Sequence, residues 1–166
     1  MQTIRILPLL AALSLAGCNG LAHLGGGGGA GYLDPAEYGS VDDPTSVAYF
    51  QEALGDRVHF VVDRSDLSRE ARMILDRQAD WLIANQEYRV LIEGHTDEQG
   101  TRQYNLALGA RRASAVQQYL IARGVEPERL RTITYGKERP IEICSVESCY
   151  SRNRRAVSVL TAGPNA

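Results

Sequence analysis

The sequence predicts an α+β fold built as a two-layer α/β sandwich, with the helices packed on one side of a mixed sheet. Three observations predict it. Strand-like runs near residues 58–62 and 89–94 enclose a helical stripe. Further strand-like runs follow at 131–135 and 156–160, and the most regular helical spacing in the chain separates the second run from the third. Strands that alternate with helices bury a sheet face beneath them, so the predicted order is β-α-β-α-β-loop-β.

A chain of 166 residues, 44% hydrophobic, suffices for one compact domain and a tail. Its net charge of -2, with both signs interspersed, offers no general attraction to a polyanion, and nucleic acid is not an expected partner. Near the start, Arg5 precedes an apolar stretch from Ile6 to Ala16 that reads as a secretory signal, residues 1–17, too short for a stable membrane span. Leu15-Ala16-Gly17-Cys18 then resembles the bacterial lipobox, in which the cysteine is lipidated and becomes the first mature residue. Several acyl chains on Cys18 would anchor the chain stably to a membrane, since one alone is marginal. Asn19 stands where inner-membrane lipoproteins of the enterobacterial type carry Asp, which implies the outer membrane. Residues 18–45, including "LGGGGGAGYLDPAEYGSVDDP", read as a flexible tether, and about twenty such residues span roughly 25 Å on average. The globular domain is expected over 46–166.

Within it, Val58-His59-Phe60-Val61-Val62 predicts a first strand ending near Asp63. Ser68 is a candidate N-cap with Glu70 in the first turn, and Ala71, Ile74, Leu75, Gln78 and Leu82 form a stripe whose one polar member is Gln78. Arg89 to Gly94 predicts a largely buried second strand. Leu106, Gly109, Ala113, Val116 and Leu120 mark the longest helix, closed by Gly124, and its small residues permit close packing on a sheet. Strands at 131–135 and 156–160 follow, joined by a long connection over 136–155. Cys144 and Cys149 lie in that connection, where an exported chain favours a local disulfide. Zinc is the rival reading, but two sulfurs without a nearby histidine leave its shell half empty, so no metal is expected. No internal repeat is visible.

The chemistry concentrates in "IEGHTDEQGTRQYNLALGARRASAV", residues 92–116. Helix spacing places Asn105, Leu108 and Arg112 on one flank, with Asn105 and Arg112 about 10 Å apart along the axis. Asp97 hangs above it from the preceding loop. A carboxylate that takes an ammonium and a guanidinium that takes a carboxylate together suit a zwitterion, such as an amino-acid-like head. The other reading leaves Asp97 and Arg112 as a surface ion pair, with Asn105 capping or solvating the helix start. A catalytic reading of His95 and Asp97 lacks a nucleophile elbow, a His-Glu-x-x-His pair or a phosphate loop, and His95 is expected as a packed or hydrogen-bonded strand-end residue.

The pieces "EGHTDEQGTRQYNLALGARRASAVQQYL", "GVEPERLRTITYGKERP" and "YSRNRRAVSVL" occur in the order in which the OmpA C-terminal-like peptidoglycan-binding family carries them. From Val58 to Leu160 the chain resembles that family, and it is close to the lipoprotein branch of the Tol-Pal system. The resemblance implies no cofactor and no catalysis. It implies non-covalent binding of peptidoglycan stem peptides through meso-diaminopimelate, contact with TolB and other Tol-Pal components in competition with that binding, and outer-membrane constriction at cell division. It also places the family's motif aspartate on Asp97 and its ligand-binding arginine on Arg112, with Thr96 and Asn105 lining the same pocket. Arg154, the first arginine of the Asn-Arg-Arg motif, either completes that pocket or forms with Arg155 a solvated pair. Two departures stand out: Phe60-Val61-Val62-Asp63 lacks a second aromatic residue found in many relatives, and the Cys144 to Cys149 loop is absent from many. Other readings are an OmpA-like wall-binding lipoprotein outside the Tol-Pal system and an exported wall hydrolase using His95 and Asp97.

Overall fold

The computed structural model describes residues 38–143 and 145–162. The expected signal segment, Cys18, most of the tether and Cys144 lie outside the described residues. Four strands form one mixed sheet: β1 (Arg57–His59), β2 (Tyr88–His95), β3 (Leu130–Gly136) and β4 (Arg155–Ala162). Their order is β1-β4-β2-β3, with β4 antiparallel to both neighbours and β2 parallel to β3. Helices α1 (Arg69–Ala84) and α2 (Arg102–Ala122) pack on one another and on the sheet, giving the two-layer α+β sandwich. The strand expected to be largely buried, β2, lies inside the sheet between β4 and β3.

Local chemistry explains where the helices begin and end. Ser68 caps α1, its Oγ accepting from the Ala71 N–H at 3.1 Å, which satisfies one of the donors the first turn leaves open. Thr101 does the same for α2 through the Tyr104 N–H. At the far end Gly124 takes φ +103, and the Val125 and Gly124 N–H groups return to the carbonyls of Leu120 and Ile121, closing the helix as a Schellman motif. Gln78, the polar member of the α1 stripe, is fully buried and satisfied. Its Nε2 donates to the Gly55 carbonyl at 2.6 Å and its Oε1 accepts from the Ser158 hydroxyl at 2.8 Å.

The small residues of α2 work as their spacing suggests. A Cβ on Gly94 would stand 1.9 Å from the Gly109 carbonyl oxygen, and one on Gly109 would stand 2.4 Å from Thr134 Oγ1. Helix and strand backbones therefore touch here, an approach that only glycine allows. The core beneath is built from Phe50, Val58, Leu75, Leu82, Ile92, Val116, Leu120 and their neighbours. Each such side chain contributes about 1.5–3 kcal/mol on burial.

Three expectations need correction. The first strand stops at His59 instead of Val62. β1 is an edge strand paired only with β4, which begins at Arg155; after the Phe60 N–H bonds the Arg154 carbonyl, no strand backbone remains opposite. Val61 and Val62 are exposed and the chain turns at Asp63, φ 55. Second, the long connection holds a short helix, α3 (Glu147–Asn153). Seven residues with no side-chain N-cap and no apolar period left no signal to read. Third, a π-helical turn over Tyr49–Gly55 precedes β1, and the packing reaches upstream of Ser46: the Trp81 indole donates to the Pro44 carbonyl at 2.7 Å, and Tyr38 packs against the core. No described helix is long and apolar enough to cross a membrane.

Candidate ligand-binding site

At the end of β2 the register shifts between Gly94 and His95, and the Thr96 N–H still pairs with the Gly136 carbonyl at 2.9 Å. That last bond fixes where the loop leaves the sheet. Lys137 Nζ holds the Glu98 and Gly100 carbonyls, while the Glu98 carboxylate accepts from Ser145 and from Tyr150 of α3, each at 3.0 Å. The loop that carries Asp97 is thus tied to β3 and to α3.

Arg112 projects from α2 into the interior and is fully buried. Its Nε donates to the Arg64 carbonyl at 2.9 Å, Nη1 to the His95 carbonyl at 2.8 Å and Nη2 to the Val61 carbonyl at 3.1 Å, with the Phe60 ring 5.1 Å away. Burial pulls its pKa down to about 10; the Asp97 carboxylate opposes that shift and the Arg154 charge adds to it. Asn105, two flank positions earlier, donates from Nδ2 to the Gln99 carbonyl at 2.7 Å and braces the loop from below. Thr96 is buried, its hydroxyl engaged with the Asp97 carbonyl.

Asp97 does not pair with Arg112. Its Oδ2 accepts from Arg154 Nη1 at 3.1 Å, and its Oδ1 from the Gln99 N–H at 3.3 Å. Arg154, at the end of α3, is buried as well; its Nε donates to the Phe60 carbonyl at 3.1 Å and its two Nη groups reach the Glu147 carboxylate. Burial works against the charge of Arg154, and the bonds to Glu147 and Asp97 overcome it, so its pKa is raised. The surface-pair reading of Asp97 with Arg112 is therefore wrong, because both side chains are buried and each bonds other partners. The solvated-pair reading of Arg154 with Arg155 also fails, since both are almost wholly buried. Asn105 neither caps α2 nor faces solvent; Thr101 is the cap.

The site thus brings Thr96, Asp97, Asn105, Arg112 and Arg154 to one end of the sheet, under the segment from Phe60 to Arg64. A carboxylate accepts about four hydrogen bonds and a guanidinium donates five, so Asp97 and Arg112 each keep capacity beyond their protein partners. Sequence reading missed Glu147 and the backbone carbonyls of Phe60, Val61 and Arg64. The seven-residue spacing of Glu147 and Arg154, two helical turns, was the available signal for the first; nothing local marks the others. His95 is packed at the strand end: its Nε2 lies 3.3 Å from Glu93 Oε2 and its ring 5.5 Å from that of Tyr135, so the imidazole is engaged by Glu93 and not by Asp97. Among the described residues no group of three or more His, Cys, Asp or Glu side chains could hold a metal ion. Cys149 is disulfide-bonded.

The sequence profile of the OmpA family matches residues 59–154. The chain belongs to the OmpA family. Within it, the chain is 48% identical to the peptidoglycan-associated lipoprotein of Rhizobium meliloti, over 96% of this chain and 91% of that one. A lipoprotein of the same name from Pseudomonas aeruginosa is 44% identical over 87% of this chain and 92% of its own. Among solved structures, the peptidoglycan-associated lipoprotein of Burkholderia pseudomallei superposes with a TM-score of 0.64 at 33% identity, covering 72% of this chain and 98% of that one. The C-terminal domain of Helicobacter pylori MotB shares the fold, TM-score 0.60 at 23% identity, with 66% and 88% covered. The OmpA-family chain is thus of the peptidoglycan-associated lipoprotein type, and its family match runs from the last residue of β1, His59, to the last residue of the candidate site, Arg154.

Proposed function

We propose that this OmpA-family lipoprotein is anchored in the outer membrane through acyl chains on Cys18, after removal of residues 1–17, and holds that membrane to peptidoglycan. The domain grips stem peptides non-covalently, no bond being made or broken, at the meso-diaminopimelate side chain. One observation carries the reading: a buried carboxylate, Asp97, pairs with the buried guanidinium of Arg154 and interacts electrostatically with the buried Arg112, which is the charge pattern that complements an ammonium beside a carboxylate. The names of the three lipoprotein relatives, each peptidoglycan-associated, support it. The same reading includes the Tol-Pal system, with TolB as a partner that competes with the wall, and a role in envelope integrity and constriction at division. Cys144 is the proposed disulfide partner of Cys149.

The test uses the full-length protein in detergent micelles, sedimented with purified cell-wall sacculi, with diaminopimelate and lysine stem tripeptides as competitors. We expect sedimentation that the diaminopimelate peptide abolishes and the lysine peptide does not. Asp97→Asn removes the charge that meets the ammonium while keeping the shape, and should weaken binding about tenfold or more, as expected for a charge-assisted bond. Equal competition by the two peptides, or an unaffected Asp97→Asn variant, would remove the pocket from the proposal.

A further inference from the structure

The second partner of Arg154 bears on how the pocket chooses its ligand. Asp97 and the Phe60 carbonyl hold the guanidinium from within, and both are buried with it. Glu147 approaches from outside. Its side chain is 71% exposed while that of Arg154 is 6% exposed, and its carboxylate caps both Nη groups. A fork of two parallel N–H groups facing an exposed carboxylate is the geometry in which a guanidinium receives a ligand carboxylate. Glu147 lies in the first turn of α3, a helix with no side-chain N-cap, and its carboxylate has no other protein partner among the described residues. Little holds it in place except Arg154 itself.

We propose that Glu147 occupies, in the free protein, the place that the ligand's carboxylate takes on Arg154, so that binding exchanges one carboxylate for another. This rests on the stem-peptide reading above. The exchange is near neutral in charge: an anion leaves the fork as an anion arrives, and Glu147 moves into water, where a carboxylate is well solvated. A ligand without that negative charge gains nothing from displacing Glu147. Glu147 therefore acts as a specificity-determining residue, raising the threshold for ligands that lack a free carboxylate beside the ammonium.

The experiment titrates the full-length protein in detergent with two stem tripeptides ending in meso-diaminopimelate, one with free side-chain carboxyl and one with that carboxyl amidated. Glu147→Gln should bind the free-carboxyl peptide about two- to fivefold more tightly than the natural chain, the size expected from one exposed ion pair, and leave the amidated peptide unchanged. The carbon resonance of the Glu147 carboxyl should also move toward that of an unpaired glutamate when the natural chain is saturated with the free-carboxyl peptide. Unchanged or weaker binding by Glu147→Gln, or an unmoved resonance at saturation, overturns the proposal and leaves Glu147 as a brace for α3, which a lowered melting temperature of the variant would register. Should the natural chain bind neither peptide, the stem-peptide reading itself fails, and this one with it.

Discussion

At Arg112 a guanidinium is completely buried and still charged at neutral pH, because burial lowers its pKa only to about 10 and three carbonyls with Asp97 nearby replace much of the lost hydration. It both holds the segment from Val61 to Arg64 over the pocket and supplies positive charge there. His95 shows the opposite outcome. Its pKa is lowered chiefly by burial, with Arg155 and Arg139 adding to the shift and Glu93 opposing it. The sign follows from which state binds the proton: below the ordinary value of 6.5 the unfolded chain takes up a proton that the folded chain resists. The stabilisation is complete above about pH 6.5 and is lost as pH falls toward the lowered folded value. His59 shifts in the same direction. We expect the urea midpoint to drop between pH 7.5 and 5.5, and to drop less in His95→Gln; a midpoint flat across that window would contradict the shift.

Among the elements, the contact between β2 and α2 tolerates least. Gly94→Ala puts a methyl 1.9 Å from a backbone oxygen that cannot swing aside, whereas Gly109→Ala first meets the Thr134 hydroxyl. Overpacking of this kind costs about 1–3 kcal/mol, and more where backbone must move, so Gly94→Ala should lower the urea midpoint more than Gly109→Ala. Equal midpoints for the two variants would show that the helix shifts freely. The same contact fixes the site, since Asn105 and Arg112 ride on α2 while Thr96 and Asp97 leave the end of β2. Strand β1 and helix α3 carry a different lesson: β1 is as long as its partner β4 permits, and α3 exists because Asn153, Tyr150 and Arg154 are held from outside it, by Ile141, Glu142, Glu98 and Asp97. Neither length nor existence is a local property.

Across the whole molecule, the chain ahead of Ser46 belongs to the packing. The only tryptophan, Trp81, contacts Phe50 and Tyr88 with ring centroids 5.0 and 5.1 Å away and donates to Pro44. A chain shortened to begin at Ser46 loses that hydrogen bond and the Tyr38 contact, about 1 kcal/mol each, and should melt roughly 5–15 °C lower with red-shifted tryptophan emission. Unchanged melting and emission would place the start of the domain at Ser46 after all. By itself the sequence determined the α+β class, the two long helices with the Ser68 cap and Gly124 stop and the buried character of β2, because caps and apolar periods are written in neighbouring residues, and it singled out Asp97, Asn105, Arg112 and Arg154 as candidates without showing how they meet. Only the tertiary structure decided that Asp97 meets Arg154 and not Arg112, that β1 is short, that α3 forms and that Glu147 pairs with Arg154. Those outcomes depend on which backbone groups stand opposite one another once β4 is inserted between β1 and β2, and that juxtaposition joins residues far apart in the chain.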